Sequence, residues 1–108
     1  FQVPSDYECD AMQKTVYVRS EFVGNLAAIT HDDGSARLQT IDNESKSIIA
    51  EILRALRNKA HIPILINTSF NLNGEPNVES AEDAIRTFFS SGLDLLFISP
   101  SFVVTKWL

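Results

Sequence analysis

The sequence predicts a mixed α/β domain with helices packed on a sheet. Three observations support this class: an unbroken apolar run at Ile62–Ile66, apolar residues at helical spacing on both sides of it, and a second apolar run at Leu95–Ile98. An unbroken apolar run is typical of a strand buried on both faces, whereas apolar residues three and four positions apart indicate a helix. Strand, helix and strand in that order predict a right-handed βαβ unit with a hairpin at its end.

Length and composition fit one domain or part of one. The 108 residues are 44% hydrophobic and 21% charged, as in ordinary soluble chains. The net charge of −5, with nine scattered Lys and Arg residues, argues against a nucleic-acid platform. No apolar run approaches the roughly 20 residues of a membrane helix, and the single cysteine, Cys9, fits a reducing compartment. We therefore expect a cytoplasmic protein with neither nucleic-acid nor membrane partners, and we interpret residues 1–108 as a single partial domain.

The first half of the chain carries two predicted strands, a turn and a helix. The β-branched and aromatic residues of Thr15–Val18 predict a strand. Asp and Gly residues predict a turn at residues 31–35, and a short strand over residues 36–41 is expected to follow it. From Asn43 the apolar residues recur at helical spacing, which predicts a helix over residues 44–58.

The second half is predicted to contain a helix followed by a hairpin. Ser80 and Asp83 have the spacing of a capping box, and the apolar stripe that follows them indicates a helix that Gly92 ends. The apolar run at Leu95–Ile98 and the segment Phe102–Thr105 then predict two strands joined by a tight turn.

A long polar loop, residues 67–78, connects the predicted central strand to the second helix. Ligands of open α/β sheets bind outside the carboxyl ends of strands, which is where this loop begins. Its amide and hydroxyl side chains offer neutral hydrogen-bond donors for an anion or a nucleotide. These side chains belong to Asn67, Thr68, Ser69, Asn71 and Asn73. The alternative interpretation is that Asn and Ser simply build turns here.

A second candidate site lies at the turn that precedes the second predicted strand. Arg37 follows this turn, and its guanidinium has the forked geometry that suits phosphate or carboxylate; the alternative is a solvated surface arginine. His31, Asp32 and Asp33 lack a second His or a Cys pair, so we interpret them as a turn with an exposed histidine rather than a metal site. The chain has no Walker-type or dinucleotide-binding glycine motif.

Two stretches, Thr30–Thr40 and Pro63–Asn71, closely resemble the C-terminal domain of the O-carbamoyltransferases, a family that modifies nodulation factors, cephamycins and aminoglycosides. The resemblance continues through Gly74-Glu75-Pro76, residues 80–84 and residues 91–94, and it covers nearly the whole chain from about residue 12. It implies a fold that resembles the threonylcarbamoyl-adenylate synthases.

The resemblance also implies a reaction in two stages. Carbamoyl phosphate and ATP are expected as co-substrates that form carbamoyl adenylate in this domain, and an N-terminal module of the parent chain is expected to transfer the carbamoyl group to a small-molecule hydroxyl with the help of a metal. Arg37 matches an arginine that contacts phosphate or carbamoyl, and Ser69 matches a nucleotide-site serine, so both are expected at the catalytic site. Asn67, Thr68 and Asn71 belong to the same nucleotide-binding motif, and no metal ligand is expected in this chain.

The sequence departs from the family pattern in two places. An arginine-rich segment that ends in a Gly-Pro-Arg-Ala-Leu-Gly-like motif is absent, and Asn77 stands where an apolar residue is usual. We therefore expect the isolated chain to be inactive. Two alternatives stay open: a non-catalytic nucleotide- or phosphate-binding module, and a structural domain that forms a homodimer through an exposed sheet edge near Phe102–Trp107.

Overall fold

The computed structural model describes residues 1–59, 61–98 and 101–107 and confirms the mixed α/β class. The chain forms two compact units, Phe1–Ile66 and Asn67–Leu108. The first unit contains the strands β1 (Thr15–Tyr17) and β2 (Ser35–Arg37), two short 3-10 turns (Ser20–Phe22 and Ala27–Ile29) and the helix α1 (Ile48–Asn58). The second unit contains the helix α2 (Ala81–Phe89) and the strands β3 (Leu95–Ile98) and β4 (Phe102–Thr105). No helix in the described part of the chain is long and apolar enough to cross a membrane.

The first unit is built around an antiparallel pair of strands. β1 pairs with β2 in the register Thr15 to Arg37 and Tyr17 to Ser35. The predicted turn between them is confirmed: Gly34 has a φ of 81°, a backbone conformation that glycine adopts without strain. A small apolar core lies beside this pair and contains the buried residues Val18, Leu26 and Ala36, against which Phe1, Ile29 and Ile64 pack.

The second strand is shorter than predicted because its continuation bonds to a different partner. β2 ends at Arg37, whereas the sequence predicts a strand to residue 41. Thr40 instead donates its backbone N–H to the Cys9 carbonyl at 2.8 Å, and its hydroxyl accepts from the Cys9 N–H at 2.7 Å. Within the strand that forms, Ser35 and Ala36 are buried and Arg37 is exposed.

The first helix begins four residues later than the predicted boundary. Ser47 is its N-cap, and the Ser47 hydroxyl accepts from the Ala50 N–H at 3.2 Å. Residues before Ser47 form a turn instead, in which the Asp42 carboxylate accepts from the Glu44 N–H at 2.7 Å. Asp and Ser side chains compete with helical backbone bonds in this way, which is why the helix does not extend back to residue 44.

The predicted central strand at Ile62–Ile66 is wrong for this chain. The structure assigns no strand to these residues, and no described strand hydrogen-bonds to them. Ile62, Leu65 and Ile66 are exposed by 36%, 42% and 61%, whereas Ile64 packs on the core of the first unit. A strand needs a neighbour to complete its ladder, and without one the predicted βαβ unit does not form. Both observed sheets are two-stranded and antiparallel.

The second unit packs a capped helix on a hairpin. The Ser80 hydroxyl accepts from the Asp83 N–H at 3.0 Å, so the predicted cap is confirmed, and α2 ends at Phe89, before Gly92. α2 contacts β3, and the Lys106 ammonium lies 5.0 Å from the centre of the Phe88 ring. The tight turn predicted at residues 99–101 includes two residues, 99 and 100, that lie outside the described part of the chain.

The β3–β4 hairpin is apolar on both faces. In the observed register Leu96 lies opposite Val104 and Phe97 opposite Val103. Side chains alternate between the faces of a strand, so the half-buried Leu96 and Val104 share one face, and the exposed Phe97 and Val103 share the other. Leu95 extends the second face, and all three of its apolar residues are at least 44% exposed. We call Leu95, Phe97 and Val103 the open hairpin face.

Replacing the Ser80 cap by alanine is expected to destabilise the second unit by about 1 kcal/mol, because the Asp83 N–H then loses its partner. The Ser80 hydroxyl is also the main reason that the pKa of Asp83 is lowered from 3.8. A carboxylate with a lowered folded-state pKa stabilises the fold above its unfolded pKa, and this contribution is lost as the pH falls through the folded value.

Urea denaturation at neutral pH and below pH 4 measures both effects of Ser80→Ala. We expect the stability difference from wild type to shrink in acid, where Asp83 becomes protonated. Ser90→Ala, at the other end of α2, is the matched control and is expected to change stability by less than about 0.5 kcal/mol. Equal losses of stability in Ser80→Ala and Ser90→Ala would show that the missing cap is not the cause of the destabilisation.

Candidate functional site

Arg37 presents an unpaired guanidinium at the end of β2. Within the described residues no hydrogen bond or ion pair engages this side chain, which is exposed. Other arginines are occupied: Arg54 donates to the backbone carbonyls of Asn43 and Ser45, and Arg86 pairs with Asp83 at 2.9 Å. A free fork of donors in a chain with a net charge of −5 is the feature expected of an anion-binding arginine.

The turn before Arg37 is held by several short hydrogen bonds. The His31 N–H donates to the Ser35 carbonyl at 2.7 Å, and the Gly34 N–H donates to the His31 carbonyl at 2.8 Å. The Asp33 carboxylate accepts from the Ser35 N–H at 2.9 Å. Hydrogen bonds from the Ser35 hydroxyl and N–H lower the pKa of Asp33, with a smaller contribution from His31. This turn fixes where β2 begins and therefore where Arg37 projects.

The polar segment at residues 67–69 lies in the second unit and has no regular secondary structure. Asn67, Thr68 and Ser69 are all exposed. The hydroxyls of Thr68 and Ser69 have no hydrogen-bond partner among the described residues. Two neutral hydroxyls that protein groups do not occupy remain available to a ligand.

Asn71, by contrast, holds the loop together. Its side-chain nitrogen donates to the carbonyls of Leu72 and Glu75, both at 3.0 Å. The Glu75 N–H donates back to the Leu72 carbonyl at 3.0 Å, and Gly74 between them has a φ of 83°. Asn71 therefore builds the turn, as the alternative interpretation of the loop has it, and its amide nitrogen is already occupied by hydrogen bonds within the loop.

The predicted site residues fall into two groups. Asn67, Thr68, Ser69 and Asn71 lie on one segment of the second unit, and Arg37 belongs to the first unit. Among the described residues there is no group of three or more His, Cys, Asp or Glu side chains that could hold a metal ion. The predicted site residues thus comprise one cation and a set of neutral donors, which are groups suited to bind phosphate and hydroxyl oxygens.

Sequence reasoning missed a side-chain contact across the turn. His31 Nδ1 lies 3.1 Å from Ser35 Oγ. The sequence marked His31 only as an exposed turn residue. The spacing of four residues across a turn, with Gly34 between them, was the signal that could have paired these two side chains.

A cleft in the first unit is a second feature that the sequence did not indicate. It lies between α1 and the segment before it and is lined by Ala50, Leu53, Arg57 and Pro63, among others. Arg57 lies in the last turn of α1. The Arg57 guanidinium has no partner among the described residues, so it is, after Arg37, a second unpaired guanidinium of this unit.

Comparison with known proteins connects these features to a family. Residues 2–106 match the family described as Carbamoyltransferase C-terminus. The chain is 44% identical over 95 residues to the nodulation protein NolO of Bradyrhizobium diazoefficiens. The aligned region covers 88% of this chain and 17% of NolO. It is 41% identical over 107 residues to the nodulation protein NolNO of Sinorhizobium fredii, covering 98% of this chain and 16% of that protein. A 3'-hydroxymethylcephem-O-carbamoyltransferase of Amycolatopsis lactamdurans is 35% identical over 68 residues, covering 63% of this chain and 13% of that protein.

Proposed function

The chain belongs to the carbamoyltransferase family, whose C-terminal region it matches, and we propose that it forms part of the site where carbamoyl phosphate and ATP are converted to carbamoyl adenylate. The observation that carries this proposal is the unpaired, exposed guanidinium of Arg37 at the position where the family resemblance places a phosphate- or carbamoyl-contacting arginine. The Ser69 hydroxyl, which has no hydrogen-bond partner among the described residues, also supports the proposal, because Ser69 lies in the second stretch that resembles the family, Pro63–Asn71.

The proposed chemistry explains why such groups are needed. Water first cleaves carbamoyl phosphate to carbamate and phosphate, and a carbamate oxygen then attacks the α-phosphorus of ATP and expels pyrophosphate. Each substrate carries several negative charges, and the chain itself is acidic, so binding requires local donors. We assign Arg37 to the oxygens of the carbamoyl or phosphate group. We assign Asn67, Thr68 and Ser69 to the nucleotide.

The rest of the reaction is assigned to the rest of the protein. The chain spans only 16–17% of the length of NolNO and NolO. We propose that an N-terminal module of the parent protein holds the hydroxyl acceptor and the metal that assists transfer. The Amycolatopsis relative is named for a hydroxymethyl acceptor, which supports a hydroxyl as the group that is carbamoylated. The free thiol of Cys9 supports a cytoplasmic location.

The open hairpin face supports a contact between this chain and the rest of the parent protein. Four residues on each of two strands cover about 130 Å², from a rise of about 3.3 Å per residue and a strand spacing of about 4.8 Å. A stable interface between separate proteins buries about 800 Å² on each partner. We propose that this face is covered by another segment of the same polypeptide, because tethering raises the local concentration enough for a small apolar contact to form. The homodimer is the second candidate.

The direct test of the function is product analysis with the full-length protein. Incubation with carbamoyl phosphate and ATP is expected to yield AMP and pyrophosphate when a hydroxyl acceptor is present, and neither product when carbamoyl phosphate is omitted. Anion-exchange chromatography separates AMP from ADP, and a coupled assay detects pyrophosphate. Formation of ADP, or no consumption of ATP with any acceptor, would exclude the proposed reaction.

A further inference from the structure

A cleft in the second unit lies between the end of the polar loop and α2. It has a volume of about 300 Å³, and its lining includes three acidic residues, Glu75, Glu79 and Asp83, and the basic residue Arg86. Three carboxylates against one guanidinium give the cleft an excess of negative charge. Asp83 is already bonded to Arg86 at 2.9 Å and to the Ser80 hydroxyl at 2.7 Å. Glu75 and Glu79 therefore supply the carboxylates of this cleft that have no partner among the described residues.

Thr87, a buried residue of α2, lines the same cleft and has an unbonded hydroxyl. It is 2% exposed, and no described residue hydrogen-bonds to its side chain. A threonine hydroxyl can donate to the carbonyl four residues earlier, as Thr30 does to Leu26 at 2.8 Å, but Thr87 makes no such bond. Every side-chain oxygen or nitrogen that is sealed inside the described part of the chain has a partner, so the Thr87 oxygen is not sealed and must open into the cleft. A polar group this deeply buried is stabilised by a bond to whatever enters the cleft.

The groups that remain unbonded in this cleft favour a cation with several N–H donors. The two glutamates only accept hydrogen bonds, and the Thr87 hydroxyl and the Asn77 amide oxygen can accept them too. A guanidinium fork best matches the two oxygens of one carboxylate, whereas a primary ammonium is compact and directs its three donors to acceptors on separate residues. Pro76 and Val78 add an apolar wall on which an alkyl stem can pack. The cleft therefore fits the end of a lysine side chain.

The exposure of the two glutamates favours a tethered lysine over a free amine. Water and salt screen the attraction of exposed carboxylates for a free cation, whereas a lysine of the same polypeptide is held at a high effective concentration. Lys106, the lysine of the second unit, is already held by the Ser91 carbonyl and the Phe88 ring. The chain spans only 16–17% of the length of NolNO and NolO, so a parent protein of that length has most of its sequence outside this chain.

We propose that this cleft receives a lysine side chain from another segment of the same polypeptide, with its ammonium bonded by Glu75, Glu79 and Thr87. The contact is polar, in addition to the apolar contact proposed for the open hairpin face. The proposal rests on the longer parent protein of the proposed function but not on its reaction.

Carbodiimide crosslinking of the full-length protein tests this contact without reference to turnover. The reagent joins a carboxylate to an amine that touches it, and peptide mass spectrometry identifies the two residues. We expect an amide between Glu75 or Glu79 and one lysine outside residues 1–108, formed within a single molecule. Thr87→Val removes the hydroxyl and is expected to lower the yield of this amide about fivefold, the effect of one lost hydrogen bond. Glu82→Gln, on α2 but outside the cleft lining, is the matched control and is expected to leave the yield unchanged.

Acetylation of the full-length protein by acetic anhydride measures the same contact as protection of the lysine. The lysine found by crosslinking is expected to react about ten times faster in the double variant Glu75→Gln/Glu79→Gln than in wild type, because the charged bonds that shield it are lost. The proposal is overturned if neither glutamate is coupled, or if the amide joins two molecules or ends on a lysine of residues 1–66. It is also overturned if added butylamine is incorporated at Glu75 and Glu79 as readily as at Glu82, since the cleft then stands open to a free amine. A wild type that forms no AMP from ATP contradicts the proposed function alone.

Discussion

Arg37→Ala in the full-length protein is expected to lower kcat/KM for carbamoyl phosphate by about 10- to 150-fold. A hydrogen bond to a charged group contributes about 1.5–3 kcal/mol, and about 1.4 kcal/mol corresponds to a factor of ten. Stability is expected to change by less than about 0.5 kcal/mol, because the side chain is exposed and no described residue bonds to it. Steady-state kinetics and a denaturation curve on the same preparation measure the two quantities.

Two further variants make the Arg37 result specific. Arg86→Ala removes a guanidinium that already pairs with Asp83 on an exposed helix surface, so its activity is expected to stay within about twofold of wild type. Arg37→Lys keeps the charge but loses the fork, and it is expected to recover only part of the activity. If Arg37→Ala turns over like wild type, Arg37 does not bind the substrate; if the variant unfolds much more easily than wild type, Arg37 is a structural residue.

The sequence predicted best those features that only a few neighbouring residues determine. The Ser80 cap requires only the N–H three residues on, and the turn before β2 requires only Asp33 and Gly34. Both are present as predicted. Such interactions close within one turn of chain, so no distant segment can change them.

Predictions that needed a distant partner were less accurate. The apolar run at Ile62–Ile66 has the composition of a central strand, but composition does not supply the neighbouring strand whose backbone groups must complete the ladder. Ile66, expected inside a buried strand, is 61% exposed. Residues 38–41 of the predicted second strand do not form a strand for a related reason: Thr40 bonds to Cys9, which lies 31 positions away.

The candidate site shows the same division. The sequence indicated the polar loop and the turn before Arg37 as places where ligands bind, and the family resemblance singled out Ser69 within that loop; the structure leaves the Arg37 and Ser69 side chains exposed. It could not distinguish Ser69 from Asn71, because only the bonds to Leu72 and Glu75 show that the Asn71 amide nitrogen is occupied.

The core of the second unit depends heavily on one aromatic residue. Phe88 is fully buried on α2, and the Lys106 ammonium lies 5.0 Å from its ring centre. The adjacent Phe89 is 54% exposed and meets the Phe88 ring edge-on, with the ring centres 5.2 Å apart. Phe88 and Phe89 are identical neighbouring side chains whose main difference is their burial, so they form a matched pair for substitution.

Phe88→Ala is expected to destabilise the second unit by about 3–5 kcal/mol, because it removes a buried ring and leaves a cavity that the short helix and hairpin cannot fill. Phe89→Ala is expected to cost about 1 kcal/mol, since it loses the edge-on ring contact but little burial. Hydrogen exchange of the α2 and β3–β4 amides in the full-length protein reports this unit separately from the rest. If the two variants accelerate exchange equally, Phe88 does not form the core of this unit. If only Phe89→Ala does so, the exposed side of α2 is the face that another segment covers.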